Sequence, residues 1–269
     1  MIYNIHHLHC GSFCPVCAPL FGQKGWKAHL VCHCLLVETD RGLVLIDTGL
    51  GTQDYLHTQQ RLGSLLTKFG AIVPDIHLSA FHQIQRLGYS LDDVKHIFVS
   101  HLDFDHAGGI SDFPNATVHV LASEFNATQS LSLKGKNRYK TEQFKYHRYW
   151  NFAEQADGEA WFNLQKVKGL PLFQDEILMV PLIGHTLGHS AIAVKKQDGW
   201  ILFCGDAYFS HLELNPKNRL RALDLTERLL AEDNQQRLHN LKQLQYLAQH
   251  EPSIELICAH DPVEFNRYQ

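Results

Sequence analysis

The sequence predicts an α/β protein, with two β-rich halves and helices set between the strands. Short apolar, β-branched runs, several of which stop on a His, Asp or Gly, carry the strand part of that reading. The helical part rests on Leu225, Leu229, Leu230, Leu238, Leu241, Leu244 and Leu247, which recur at roughly 3.6-residue spacing between Asp224 and Gln249. A chain of 269 residues, 45% hydrophobic and 19% charged, can bury a sizeable core, and a single domain over residues 1–269 is expected.

Strands are expected near 2–8, 29–38, 43–47, 95–100, 117–121, 177–181, 191–196, 200–204 and 254–259. In the second of them, Cys32 and Cys34 fall on one face and His33 on the other. Helices are expected over 52–69, where the pattern is frayed, and over 79–88 and 104–111. The leucine stripe reads as one long helix doing ordinary core packing, ended by Pro252 before the last strand. Tyr139, Phe144, Tyr146, Tyr149, Trp150, Phe152, Trp161 and Phe162 crowd the segment 123–176. Such aromatic density suits either a cap that shapes an apolar pocket or an insert packed on the main body.

The richest local signal is Ser100-His101-Leu102-Asp103-Phe104-Asp105-His106-Ala107-Gly108-Gly109. It follows the buried-strand pattern Val94-Lys95-His96-Ile97-Phe98-Val99 and puts two imidazoles and two carboxylates in one tight loop. Imidazole nitrogen and carboxylate oxygen are the ligand types of Zn, Mn and Fe sites. Further His and Asp residues end apolar runs downstream, in Gly184-His185-Thr186-Leu187-Gly188-His189, Cys204-Gly205-Asp206 and Cys258-Ala259-His260-Asp261. Upstream, Leu43-Val44-Leu45-Ile46 stops on Asp47-Thr48-Gly49. Polar residues at the ends of several strands are how a sheet scaffold assembles one site from distant sequence.

In this order the motifs resemble the metallo-β-lactamase superfamily over nearly the whole chain. That resemblance implies a four-layer αββα sandwich, and in it the segment 123–176 would fold over the site. It also implies two divalent ions, zinc first, with iron or manganese as alternatives. One ion would take His101, Asp103 and His185, and the other Asp105, His106 and His260. Asp206 and a hydroxide would bridge them. Asp47 and His189 would orient the ligands from behind. The family pattern is HxHxDH, whereas this chain has HxDxDH, with Asp103 in the place of an imidazole. Three carboxylates and a hydroxide would neutralise two dications, so the bridging water should be less acidic than in an all-imidazole site. An oxygen ligand also shifts preference toward Fe or Mn.

Within the superfamily the sequence looks most like the N-acyl-homoserine-lactone lactonases. The carrying residues are Gln85 to Val94 running into Ser100-His101, the Gly-His-Thr-x-Gly-His turn, Gly205-Asp206-Ala207-Tyr208 and the final Ala259-His260-Asp261. The resemblance implies quorum-quenching hydrolysis of a lactone. The bridging hydroxide would be the nucleophile and Asp105 a proton acceptor. Tyr208 would polarise the carbonyl, although it lies one step short of the family spacing, with Phe209 next. Tyr146, Tyr149, Trp150 and Phe209 are the candidates for the substrate pocket. The alternatives are a glyoxalase-II-like thioesterase, a redox di-iron protein and a non-catalytic ligand-binding module.

Net charge of −4 without a basic cluster argues against nucleic acid or an acidic membrane surface, leaving a small molecule as the expected partner and a homodimer as an option. No apolar stretch approaches the ~20 residues of a membrane span. The N-terminus lacks the build of a signal peptide, so a cytoplasmic location is expected. Seven cysteines then read as thiols. Cys10, Cys14 and Cys17 have CxxxCxxC spacing, as in radical iron–sulfur enzymes, but no repeated strand–helix units follow. Incidental thiols in a surface loop are expected, with an auxiliary site using His6, His7, His9, Cys32, His33 or Cys34 as the alternative.

Overall fold

The structure, a computed structural model, describes all residues except 70, 130–134, 136–137, 155–157, 174 and 219. Its strands are β1 (Ile2–Phe13), β2 (Leu30–Thr39), β3 (Gly42–Ile46), β4 (Val94–Phe98), β5 (Thr117–Leu121) and β6 (Trp150–Ala153) in one half. The other half holds β7 (Glu159–Trp161), β8 (Leu164–Gly169), β9 (Ile177–Pro181), β10 (Ser190–Lys196), β11 (Gly199–Phe203) and β12 (Ile254–Ile257). They form two six-stranded sheets, each with its strands in sequence order from edge to edge. The first sheet is antiparallel through β1–β2–β3 and parallel through β3–β4–β5–β6. The second is antiparallel except where β11 runs parallel to β12.

Alternating side chains sort the layers. On β2, Leu35 and Val37 point to the apolar layer between the sheets, while Cys32, Cys34 and Leu36 point to the outer layer under the helices. On β11, Ile201 and Phe203 face the inter-sheet layer, and Leu202 packs outward with Leu244 and Leu247. Three apolar clusters therefore separate four layers, giving the expected αββα sandwich. The outer helices on the first sheet include α1 (Thr52–Leu56), α2 (Thr58–Leu62), α3 (Ser64–Phe69), α4 (Ala80–Arg86), α5 (Phe104–Ala107) and α6 (Ala122–Ala127). On the second lies α8 (Asn234–His250), whose Leu244 and Leu247 pack there; α7 (Arg221–Leu230) precedes it, and α9 (Pro262–Phe265) follows β12. Among the described residues, no helix is long and apolar enough to cross a membrane.

The expected single helix over 224–249 is two helices, because the chain turns at Ala231-Glu232-Asp233. The N–H groups of Glu232 and Asp233 donate to the carbonyl of Gly184 at 2.9 Å, and Asp233 caps α8 through Gln235 and Gln236. The leucine stripe divides accordingly. Leu244 and Leu247 are buried, whereas Leu225 and Leu229 are more than half exposed, so they are not core. The aromatic segment contributes outer strands to both sheets, β6 at the edge of one, and β8 with the edge strand β7 in the other. These were not expected, since half-exposed edge strands lack clean alternation. Trp150 packs on Phe125, Phe144 and Phe152. Tyr146 and Tyr149 are exposed. Parts of 123–176 lie outside the described residues.

The strand β1 continues past residue 8 to Phe13, so Cys10 is buried in the sheet, while Cys14 is half-buried and Cys17 exposed. Among the described residues, neither the cysteines nor His6, His7 and His9 form a metal-sized cluster.

Candidate metal centre

Parallel strands point the same way, so β3, β4, β11 and β12 deliver their C-terminal residues to related ends of the two sheets. There the sandwich gathers two ligand groups, His101 with His185 and Asp206, and Asp105 with His106 and His260. Asp206 joins them. Its Oδ2 lies 3.4 Å from His185 Nε2 and 3.8 Å from His101 Nε2. Its Oδ1 lies 3.2 Å from His106 Nε2 and 3.1 Å from His260 Nε2. Asp103 Oδ2 sits on the first group, 3.1 Å from His185 Nε2 and 3.4 Å from His101 Nε2. Asp105 sits on the second, with Oδ2 3.6 Å from His260 Nε2. One carboxylate thus faces both groups, one oxygen to each.

The imidazole tautomers are set from behind, because their Nδ1 partners can only accept or are already committed. His106 Nδ1 donates to Asp47 Oδ2 at 2.7 Å, and His260 Nδ1 to the Val31 carbonyl at 2.8 Å. Ser100 Oγ donates to Asp47 Oδ2, leaving it to accept from His101 Nδ1 at 2.9 Å. Asp47 takes a left-handed backbone, φ 52°, which aims one carboxylate at Ser100 and His106 together. His189 behaves differently. Its Nδ1 donates to Leu182 and its Nε2 accepts the Asp206 N–H at 3.0 Å, so it positions Asp206 and has no nitrogen left for an ion. Gly205 has φ +52° and no room for a Cβ, which would lie 2.8 Å from His189 Nε2.

Those contacts leave the inward atoms bare. His101 Nε2, His106 Nε2 and Asp206 Oδ1 are buried without a hydrogen-bond partner. Buried polar atoms are seldom left so, and three carboxylates converging in low dielectric need positive charge among them. The donor set fits two divalent cations. Burial works against protonating His106, yet Asp206, Asp47 and Asp105 outweigh it and raise its pKa well above the usual histidine value. His260 is likewise pushed up, to about 9, against its own burial by Asp206 and Asp105.

Two further residues could not have been picked from local sequence. Glu124, fully buried on α6, accepts the Leu102 N–H through Oε1 and the Gly188 N–H through Oε2, tying both ligand loops together. Arg138 donates to the carbonyls of His185 and Leu230, and its Nε lies 3.6 Å from Asp103 Oδ1 and 3.8 Å from Glu232. Burial opposes ionisation of Asp103, but Arg138 and His101 beside it hold its carboxyl well below the usual carboxylate range. The segment 123–176 therefore reaches the site through Glu124 and Arg138. Tyr146, Tyr149 and Trp150 are placed elsewhere: the two tyrosines line a surface depression with Ser111 and Asn115, and Trp150 packs within the aromatic cluster.

Tyr208 is also not at the ligands. It is fully buried in the outer layer of the second sheet, and its hydroxyl donates to Glu264 at 3.1 Å. The next residue, Phe209, takes the position facing the site, its ring 6.0 Å from that of His185 and 5.4 Å from that of His260. The one-residue spacing difference thus exchanges a phenol for a ring that has no proton to donate.

Residues 29–248 match the sequence profile of the metallo-beta-lactamase superfamily. The chain is similar to a probable metallo-hydrolase of Mycobacterium tuberculosis, 38% identical over 265 residues, covering 96% of this chain and 80% of that protein. It is also similar to an N-acyl homoserine lactonase of Bacillus thuringiensis subsp. kurstaki, 28% identical over 189 residues, 69% of this chain and 67% of the relative. Among solved structures, an N-acyl homoserine lactone hydrolase with the product N-hexanoyl-L-homoserine at its catalytic metal centre superposes with a TM-score of 0.74. That match covers 100% of this chain and 97% of the other at 22% identity, a likeness of fold. Fold, ligand groups and sequence agree, and the chain belongs to the metallo-beta-lactamase superfamily.

Proposed function

We propose that this protein is a dinuclear metal-dependent hydrolase of an ester-like bond, with the lactone ring of N-acyl homoserine lactones as its leading substrate and quorum quenching as its role. The observation that carries the dinuclear part is Asp206, with one oxygen toward each ligand group. The lactone part is supported by the 28% identical lactonase relative.

Two divalent cations held by His101, Asp103, His185, Asp105, His106, His260 and the shared Asp206 would polarise a carbonyl and activate water at neutral pH. The protein's own groups do the rest. Asp47, Ser100 and the Val31 carbonyl keep three imidazoles in the tautomer that presents Nε2 inward. His189 fixes the backbone of Asp206. Asp105, slightly exposed, can take the proton of the attacking water at a carboxylate oxygen and pass it to the departing alkoxide oxygen, so that acid and alcohol are released. Phe209 screens the two groups from bulk water. Zinc is the leading metal, and the Asp103 oxygen keeps iron and manganese in contention.

The test is incubation of metal-loaded protein with N-acyl homoserine lactones of graded chain length, with ring opening followed by mass. Ring opening that disappears in Asp206→Ala is the expected result. Failure with every lactone, together with turnover of a thioester, would transfer the assignment to a thioesterase.

A further inference from the structure

A cavity of about 590 Å³ adjoins the metal centre at Asp103, within the range usual for small-molecule sites. Its walls are apolar: Leu62 and Leu66 from the helices after β3, Phe104 from α5, and Leu229 and Leu230 at the end of α7. Leu229 is 69% exposed although it borders this cavity, so its apolar surface is left for something to cover. Two cations also line it, Arg138 and Lys140.

The two cations are not equivalent. The Arg138 guanidinium is committed to Asp103, Glu232 and the carbonyls of His185 and Leu230. Lys140 is partly buried and has no carboxylate partner among the described residues; burial alone acts on it and lowers its pKa. An ammonium held over apolar walls without a counter-charge loses hydration for no return. A neutral aliphatic ligand filling the cavity would deepen that loss. A ligand bearing its own anion would reverse it.

We propose that the cavity selects an amphipathic acyl substrate with a carboxylate remote from the scissile bond. The ester-like group sits at the ligand groups, the aliphatic segment lies on the leucines, and the distal carboxylate pairs with Lys140. This rests on the hydrolase reading only for where the reacting group sits. Among lactones, it favours one whose acyl chain ends in a carboxylate over one with a plain alkyl chain.

Binding tests this without turnover. Metal-loaded protein is titrated calorimetrically with α,ω-alkanedioates from six to twelve carbons and with the monocarboxylates of matching length. At the length that spans the cavity, the diacid binds roughly ten- to a hundredfold tighter than the monoacid, the range of a charge-assisted contact. The preference falls to about unity in Lys140→Met and returns in Lys140→Arg. Monoacid binding by the Met variant reports that the cavity is intact. If no diacid outbinds its monoacid, or if the preference survives in Lys140→Met, the proposal is wrong. Absence of lactone ring opening would leave the diacid preference in place, so the two readings fail separately.

Discussion

Arg138 and Asp103 form a buried pair whose strength can be worked from the structure. Their facing atoms are 3.6 Å apart, and the side chains are 6% and 14% exposed. At an effective dielectric of roughly 20, unit charges at that distance attract by about 5 kcal/mol. Part of this is redundant, since His101 and His185 also face Asp103, and Glu232 also faces Arg138. A double-mutant cycle of Arg138→Met and Asp103→Asn, read by urea unfolding in chelator, is therefore expected to give a coupling of about 2–3 kcal/mol. Loading the protein with divalent metal should cut that coupling by at least half, because the cations then take over the charge of Asp103. A coupling below about 0.5 kcal/mol without metal, or one that grows on loading, would refute the placement of Arg138 as the counter-charge that accompanies an acidic side chain at position 103.

Metal analysis after dialysis should find two divalent ions per chain in the wild type and fewer than one in Asp206→Ala, since one carboxylate serves both groups; two ions retained in the variant would remove its bridging role. Metal uptake should release protons at neutral pH. The pKa values of His106 and His260 are raised in the metal-free protein, so both imidazoles carry protons that an ion must displace, and affinity should rise between pH 6 and 8. Calorimetry in buffers of different ionisation enthalpy reads that release directly, and no proton release would contradict the ligand set. Glu264 gives a stability prediction. Burial pushes its pKa up to about 7, so the folded state keeps a proton that the unfolded chain loses near 4.5. Its contribution is complete below about pH 4.5 and is lost as pH rises toward 7, at most about 3 kcal/mol. In Glu264→Gln the fall in stability over that window should shrink, and an unchanged slope by denaturant titration would reject the assignment.

The family and the ligand residue types could be read in one dimension because each ligand follows a short buried strand, and strands announce themselves by apolar run and glycine stop. His101 to His106 is also a local cluster, visible without any folding. What remained hidden depends on contacts between residues far apart in the chain. Arg138 meets Asp103, and Glu124 meets Leu102 and Gly188, with nothing near them in sequence to mark either as part of the site. The leucine pattern likewise runs smoothly across Glu232 and Asp233, whose break exists to dock on the Gly184 carbonyl.

Sequence alone determined the scaffold and the chemical nature of the centre, since hydrophobic period and strand-end His and Asp are properties of neighbours along the chain. Tertiary structure decided which ring faces the ligand groups, Phe209 and not Tyr208, because both lie in the loop after β11, where the path of the backbone, and no strand alternation, sets the direction of each side chain. It also decided the charge around Asp103 and the walls of the cavity beside it. Those depend on where loops from both halves come to rest, and no pairwise spacing in the sequence encodes that meeting.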